Sequence, residues 1–263
     1  MIVRPASLGD VDRIAELLKS SFEPRLHPFL IHTQHGAGRF ISSQLTHAAL
    51  YPGRTHVVVE HRGDVIGYAD LREPNPASGF LSYICVDANH RGRGVARTLL
   101  AGWLHERGEL KTVQLDVFDH NQPALRLYER LGFTAQSLQT WARRSMPTGS
   151  GQLAVQSFHT TLASIDTYGF GELQLIGEGV ERIGLMGTAI LKCPDFGTLR
   201  NESLLARLSA AMPLRRQAFA VLDEKDAALL ANSDLPHDVL LRSRRMSVEA
   251  SELSRQLERG GDR

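Results

Sequence analysis

The sequence Arg-Gly-Arg-Gly-Val-Ala at residues 91–96 constrains the fold most, because an apolar segment, residues 80–86, precedes it. Apolar residues follow it at the spacing of one helix face, namely Val95, Leu99, Leu100, Trp103 and Leu104. The order is therefore a strand, a glycine-rich turn and a helix N-terminus. Amides at such an N-terminus lack partners within the helix, and the helix dipole adds positive charge there. The turn is thus predicted to hold a pyrophosphate.

Three arginines and two glycines define the properties of this turn. Gly92 and Gly94 allow positive φ angles, and charge comes from Arg91, Arg93 and Arg97. The G-x-x-x-x-G-K-[ST] pattern of nucleoside-triphosphate sites is absent, and the G-x-G-x-x-G fingerprint of dinucleotide sites is incomplete. A solvated loop rich in arginine and glycine is the common alternative, so a second feature is needed to identify the phosphate ligand.

The second feature is the segment 121–133, which has the signals of a short, well-delimited helix. Asn121 is typical of an N-cap, and Pro123 falls in the first turn. Leu127 and Leu131 share one face, and Gly132 is placed to end the helix.

Together the two segments resemble the GNAT superfamily of acyl-CoA-dependent N-acyltransferases. Its members typically show [QR]-x-x-G-x-[GA] at the third helix and N-x-x-A-x-x-L-Y-x-x-x-G-F around the fourth. Arg91, Gly94 and Ala96 match the first pattern. The second is matched by Asn121, Ala124, Leu127, Tyr128, Gly132 and Phe133. The resemblance covers residues 1–146 and implies an α+β fold with a mixed, mostly antiparallel central sheet flanked by helices.

The remaining patterns of the first half fit this order of elements. Strands are predicted at 2–4, 56–60, 65–71, 113–117 and 137–144. A capping-box-like start at Ser7 and Asp10 predicts a helix with Val11, Ile14, Leu17 and Leu18 on its apolar side. Phe40, Ile41 and Leu45 suggest a second helix after an irregular loop.

The second half resembles the first in three places. Residues 203–209 are similar to 98–104, residues 218–222 hold the place of 114–118, and residues 240–246 are similar to 140–146. We therefore expect a GNAT-like domain at 1–146, a linker at 147–156 and a degenerate GNAT-like domain at 157–263, with chance similarity as the alternative. In the second domain, residues 194–201 keep one glycine and one arginine and add Asp195, so one acyl-CoA site per chain is expected. The second domain would support the first, shape the acceptor cleft or form a homodimer.

The resemblance also implies where acyl-CoA binds. The pantetheine arm would lie where the fourth and fifth strands splay, pairing with exposed backbone of the fourth strand. Tyr128 would sit beside the sulfur, where a phenol can hydrogen-bond a thiolate and pass it a proton; a packing tyrosine is the alternative. Asn121 would contact the pantetheine amide while capping its helix. The other expected acyl-CoA contacts are Ile84, Cys85, Val86, Arg91, Gly92, Arg93, Gly94, Val95, Ala96 and Arg97.

The general base stays open, since an ammonium must lose a proton before it attacks a thioester. Candidates are Glu60, Asp70, Glu73, Tyr83 and Asp116. Surface solvation is the alternative for Glu73, and a structural hydrogen bond is the alternative for Asp116. Strand alternation places one set of side chains on each face, with Ser82, Ile84 and Val86 opposite Leu81, Tyr83 and Cys85.

Two other residue types invite functional interpretations. Five histidines cluster in sequence, but their spacing fits no zinc signature, so cleft or surface roles are expected and no metal; they are His27, His32, His35, His47 and His56. Cys85 could be an acyl-enzyme nucleophile, yet a thiol within an apolar strand is usually inert packing.

Composition narrows the class of protein. A formal charge of +1 argues against broad nucleic-acid binding, and two cysteines imply a reduced, cytoplasmic setting. The N-terminus has no apolar signal region, and no apolar run is long enough for a membrane span.

The expected function is transfer of an acetyl group from acetyl-CoA to a primary amine on a small molecule, peptide or protein. The alternative is a non-catalytic acyl-CoA-binding module for regulation or assembly.

Overall fold

A computed structural model describes residues 1–105, 107, 109–156 and 158–259. The chain forms two compact units. The first comprises Met1–Glu23, Phe40–Gln136 and the C-terminal residues from Arg244, and the second comprises Pro24–Arg39 and Ser137–Ser243. The units are therefore not contiguous in sequence, whereas the patterns suggested a division at 147–156.

Within the described residues the strands are β1 (Ile2–Pro5), β2 (Arg54–His61), β3 (Asp64–Asn75), β4 (Ser78–Val86), β5 (Thr112–Phe118), β6 (Thr134–Ser145), β7 (Val155–Gln156), β8 (Phe170–Leu175), β9 (Arg182–Met186), β10 (Ile190–Lys192), β11 (Gln217–Leu222) and β12 (Asp238–Glu249). The α-helices are α1 (Val11–Ser21), α2 (Ala37–Thr46), α3 (Val95–His105), α4 (Gln122–Arg130), α5 (Phe158–Tyr168), α6 (Phe196–Leu199), α7 (Glu202–Ala211), α8 (Glu224–Ala231) and α9 (Ala250–Glu258).

The first unit contains the strand order β1-β2-β3-β4-β5-β12, to which β12 contributes its residues from Arg244 onward. Strands β1 to β4 pair antiparallel, and β4 pairs parallel with β5. This mixed, mostly antiparallel sheet and its flanking helices confirm the fold predicted from the sequence. Ser7 and Asp10 form the expected capping box, followed by a single 3₁₀ turn and then α1.

Two apolar clusters cover the two faces of the first unit's sheet. One contains side chains of α3, α4 and α9, with Trp103, Tyr128 and Leu253 among its buried members. The other contains side chains of α1 and α2, with Ile14 and Ile41 packed near Tyr68. For α1 and α3, the helix faces read from the sequence are the buried faces.

A β-bulge in β4 changes which residues share a face. Asp70 stands opposite Tyr83 and Leu71 stands opposite Leu81, so Ser82 is the extra residue of the bulge. Leu81 consequently packs with α3 and α4, as Ile84 and Val86 do, while Tyr83 and Cys85 pack with α1 and α2. The predicted alternation is therefore wrong for Leu81, because one inserted residue shifts every side chain before it to the other face.

The second unit has the strand order β6-β11-β10-β9-β8-β7, with β10 and β11 parallel. Its core includes Phe196, Leu204 and Leu205. The irregular segment 24–39 belongs to this unit, where the ring of Phe29 lies 5.1 Å from that of Phe219.

Both cysteines are buried free thiols. No helix in the described residues has the length and apolar character needed to cross a membrane.

Candidate active site

The turn between β4 and α3 has the backbone that the sequence predicted. Gly92 and Gly94 have φ angles of 74° and 80°. A Cβ at either position would meet no atom within 4 Å, so glycine is required there by the backbone and not by packing. The carbonyl of Gly94 accepts a hydrogen bond from the Thr98 amide at 3.0 Å, which places Gly94 at the start of α3. An exposed helix N-terminus and two open glycines together leave room for an anion.

The arginines of this turn are not equivalent. Arg91 and Arg93 are exposed, and Arg91 Nε donates to the Val86 carbonyl at 3.3 Å. Arg97 instead donates to the backbone carbonyls of Gln256 and Leu257, and so fixes α9 on α3. Arg91 and Arg93 are therefore better placed than Arg97 to neutralise a phosphate.

The carboxylate nearest this turn in sequence is already paired. Asp87 accepts from His90 Nδ1 at 3.0 Å and from Arg13 Nη2 at 2.7 Å. These bonds, that from His90 first, lower the pKa of Asp87 to about 2. Its charge is thereby compensated beside the turn, and its Oδ1 also accepts from the Asn89 amide at 2.9 Å.

Strands β4 and β5 separate next to the turn. Their parallel pairing runs from Ser78 opposite Thr112 to Leu81 opposite Leu115, and no described residue pair continues it. The next residues of β4, Tyr83 to Val86, pair with β3 on their other side. Their outer backbone groups therefore face the opening between the two strands, as the resemblance implied for Ile84, Cys85 and Val86.

Helix α4 carries two of the predicted residues. Asn121 is the N-cap, and its Oδ1 accepts from the Ala124 amide at 3.3 Å. Gly132, with φ 86°, ends the helix as predicted. Tyr128 is 5% exposed, and its ring lies 5.5 Å from that of Phe133 in an edge-on contact. Burial first, and the nearby Cys85 second, raise the pKa of Tyr128 above its usual value, so the phenol keeps its proton.

The four candidate carboxylates for the base all pair with arginine. Glu60 accepts from Arg4 at 2.9 Å, and Glu73 accepts from Arg107 at 2.6 Å in a half-buried contact rather than being solvated. Asp70 is fully buried and bonded to Arg54. Asp116 is bonded through both oxygens to Arg245. The remaining candidate, Tyr83, is half-buried, and burial raises the pKa of its phenol, so the hydroxyl keeps its proton and is not available as a base.

The histidines singled out in the sequence have separate environments. His56 is buried, and its Nδ1 lies 2.8 Å from the Tyr68 hydroxyl. His35 Nε2 lies 3.1 Å from the Asp166 carbonyl in the second unit. Among the described residues, no three His, Cys, Asp or Glu side chains are grouped closely enough to hold a metal ion.

A further group at the same opening was missed by sequence reasoning. The rings of Tyr83, Phe22, Phe118 and His120 form a continuous series, with successive centroids 5.9, 6.1 and 5.5 Å apart. His120 Nε2 lies 3.2 Å from Glu23 Oε1. Nothing local in the sequence signals this pair, because its members come from the end of α1 and the end of β5.

The corresponding turn of the second unit is built differently. Residues 196–199 form the short helix α6, and Asp195 Oδ1 accepts from the Thr198 amide at 2.7 Å. The Phe196 amide donates to the Asp226 carboxylate at 3.0 Å. Two carboxylates therefore accept hydrogen bonds from the backbone amides that would otherwise face a phosphate.

Comparison with known proteins agrees with this geometry. The Acetyltransferase (GNAT) family profile matches residues 11–133. Spore coat polysaccharide biosynthesis protein SpsD of Bacillus subtilis (strain 168) is 32% identical over 136 residues, 50% of this chain and 46% of SpsD. L-amino acid N-acetyltransferase AaaT of Escherichia coli (strain K12) is 26% identical over 143 residues, 51% of this chain and 82% of AaaT. The chain thus spans about half the length of the first of these relatives.

A solved structure extends the likeness to both units. It is a tandem GNAT protein from the clavulanic acid biosynthesis pathway, solved without AcCoA, and the match covers 95% of this chain and 98% of that one. The TM-score is 0.61 at 15% identity, so this likeness concerns the fold alone. Residues 11–133, which carry the glycine-rich turn and both motifs on this fold, thus match the GNAT acetyltransferase family.

Proposed function

We propose that this chain is an N-acetyltransferase that moves an acetyl group from acetyl-CoA directly to a primary amine. The observation that carries the proposal is the order of features along one edge of the first unit. The turn at 91–96 supplies the amides of a helix N-terminus and two exposed arginines, β4 and β5 separate beside it, and the buried Tyr128 is close to Cys85 in the separated part of β4. The similarity to a named L-amino acid N-acetyltransferase supports an amine as acceptor.

Each part has a distinct task in this proposal. The amides around Gly92 and Gly94, with Arg91 and Arg93, hold the pyrophosphate. The outer backbone of residues 84–86 and the Asn121 side chain hold the pantetheine amides. Tyr128 gives its proton to the sulfur as the carbon–sulfur bond breaks, and it regains a proton released by the attacking nitrogen. Cys85 stays a thiol, because burial raises the pKa of Cys85 to about 12.

The second unit is proposed to hold no acyl-CoA. Asp195 and Asp226 would repel a pyrophosphate, and their bonds to the Thr198 and Phe196 amides remove the donors it needs. We therefore propose one donor site per chain, in the first unit, with the second unit as a degenerate copy.

Turnover and binding together test the function. Release of free thiol is measured from acetyl-CoA with a panel of amino acids, polyamines, aminoglycosides and peptides, and acetyl-CoA binding is measured by calorimetry. At least one amine is expected to give turnover. Binding without thiol release from any amine would instead identify a non-catalytic acyl-CoA-binding module.

Paired variants test where the donor binds. Arg91→Glu and Gly94→Asp place negative charge at the turn, and each is expected to weaken acetyl-CoA binding at least tenfold. The matched controls are Arg200→Glu and Gly179→Asp in the second unit, since Gly179 also has a positive φ (72°) and open space around its Cβ. Equal effects in both units would contradict a single site in the first.

A further inference from the structure

His120 lies where the opening between β4 and β5 meets the start of α4. It follows the last residues of β5 and immediately precedes Asn121, the N-cap of α4. The backbone there is fixed, because the Asn121 amide donates to the Phe118 carbonyl at 2.9 Å. The imidazole is 40% exposed, so it is open to an incoming molecule.

The ring of His120 is held on two sides. One face stacks on Phe118, with centroids 5.5 Å apart and planes 21° apart. Its Nε2 lies 3.2 Å from Glu23 Oε1. With the proton on Nε2 donated to this carboxylate, the lone pair of Nδ1 is left available, and no described residue bonds to Nδ1. A carboxylate that fixes the tautomer and orientation of an imidazole is the arrangement that makes histidine an effective base.

We propose that His120 is the general base that deprotonates the acceptor amine and that Glu23 is its positioning residue; this rests on the function proposed above. The carboxylates considered above for this task are each bonded to an arginine, so their oxygens are already engaged by these ion pairs. Imidazole, in contrast, exchanges protons readily near neutral pH.

The proton balance is complete with the residues of this site. Nδ1 of His120 takes one proton from the ammonium and passes it to water. The neutral nitrogen attacks the thioester carbon, forming the carbon–nitrogen bond, and the carbon–sulfur bond then breaks. Tyr128 protonates the departing sulfur, and the second nitrogen proton restores the Tyr128 hydroxyl. The products are the amide, the free thiol and one proton in solution.

The first test compares His120→Gln with wild type across pH. The variant is expected to lose about 10²-fold in kcat, which is the usual scale for a positioned base. Its KM for acetyl-CoA should stay within about twofold. Imidazole added to His120→Ala should restore part of the rate. The matched control is His159→Gln, an exposed histidine on α5 of the second unit, which should keep the wild-type rate and profile.

The second test isolates Glu23 and needs no turnover. In Glu23→Gln the imidazole loses the carboxylate that accepts from Nε2, so the share of the tautomer protonated at Nε2, followed by NMR of the His120 ring nitrogens, should fall. The rate should fall with it. An unchanged tautomer ratio, or a His120→Gln enzyme with the wild-type rate, would overturn the assignment of the base alone. Absence of thiol release by wild type with every amine would overturn the proposed function and this inference with it.

Discussion

The guanidinium of Arg245 bonds both carboxylate oxygens of Asp116, with Nη2 2.9 Å from Oδ2. Arg245 belongs to β12 and Asp116 to β5, which are neighbouring strands of the first unit. The same guanidinium lies 5.1 Å from the centroid of the Phe80 ring. Asp116 therefore serves to join two strands, and its charge is committed to that pair.

Asp116→Asn should consequently leave the chemistry almost intact. We expect kcat to change by less than about threefold and the free energy of unfolding to fall by about 0.5 to 1 kcal/mol, since the pair is one-third exposed. Steady-state kinetics and urea unfolding measure the two effects. Asp119→Asn, which breaks a similar pair with Arg244, is the control. A loss of activity near 10²-fold confined to Asp116→Asn would make Asp116 the base after all.

Tyr128→Phe removes one hydroxyl from a buried ring. Because that hydroxyl bonds to no described residue, stability should change by less than about 1 kcal/mol. If the phenol protonates the leaving sulfur, kcat should fall about 10²-fold while acetyl-CoA binding stays within about twofold. Phe133→Leu, which alters the ring packed on Tyr128, separates packing from proton transfer. A fully active Tyr128→Phe enzyme would reduce Tyr128 to a packing residue.

Cys85→Ala tests direct transfer against an acyl-enzyme. The thiol is 1% exposed, and burial raises its pKa to about 12, so it should be neither nucleophilic nor reactive with N-ethylmaleimide in the folded protein. The variant should keep kcat within about threefold and lose about 1 kcal/mol of stability. Mass spectrometry of the protein mixed with acetyl-CoA should detect no acetylated Cys85. An acetylated thiol together with an inactive Cys85→Ala enzyme would establish the covalent route.

Arg54→Met removes the cation bonded to the fully buried Asp70. Breaking a buried ion pair from one side leaves a charge in a poorly solvated place, so stability should fall by about 3 kcal/mol. The double variant Arg54→Met with Asp70→Leu should recover much of that loss. Arg72→Met, in which an exposed arginine of the same sheet is changed, should cost less than about 1 kcal/mol. Urea unfolding distinguishes these cases, and similar losses for Arg54 and Arg72 would contradict the importance of burial.

Asp10 makes the fold sensitive to acid. The bonds from Arg4 first, and also those from Ser7, hold the pKa of Asp10 well below its usual range. A carboxyl whose pKa is lowered by folding contributes stability that is complete above its unfolded pKa, about 3.9, and is lost as the pH falls below that value. Urea unfolding between pH 6 and 2.5 should therefore show a steeper loss for wild type than for Asp10→Asn. Parallel curves would contradict the role of this carboxylate.

Local signals in the sequence predicted the parts of the site that depend on neighbouring residues. The caps at Asn121 and Gly132 and the positive φ angles of Gly92 and Gly94 are confirmed, because each follows from backbone conformations that few residue types adopt. The bulge at Ser82 left no such signal, since a serine in extended conformation can be regular or bulged.

Contacts between distant segments could not be read from local patterns. Glu23 and His120 meet because α1 and β5 end at the same opening. Phe29 joins the core of the second unit, although the segments on either side of 24–39 belong to the first. Pairing of the candidate carboxylates with Arg4, Arg107 and Arg245 likewise depends on the folded sheet. Sequence reasoning therefore predicted the backbone of the turn and the caps of α4, and it left the base open.

Strand β12 and helix α9 also contribute to the core that contains Tyr128. The second half of β12 and α9 supply Met246, Val248 and Leu253 to it. A gene shortened to its first half would lack these residues and would leave that core incomplete. Residues far along the chain from Tyr128 are therefore under the same packing constraint as the residues next to it.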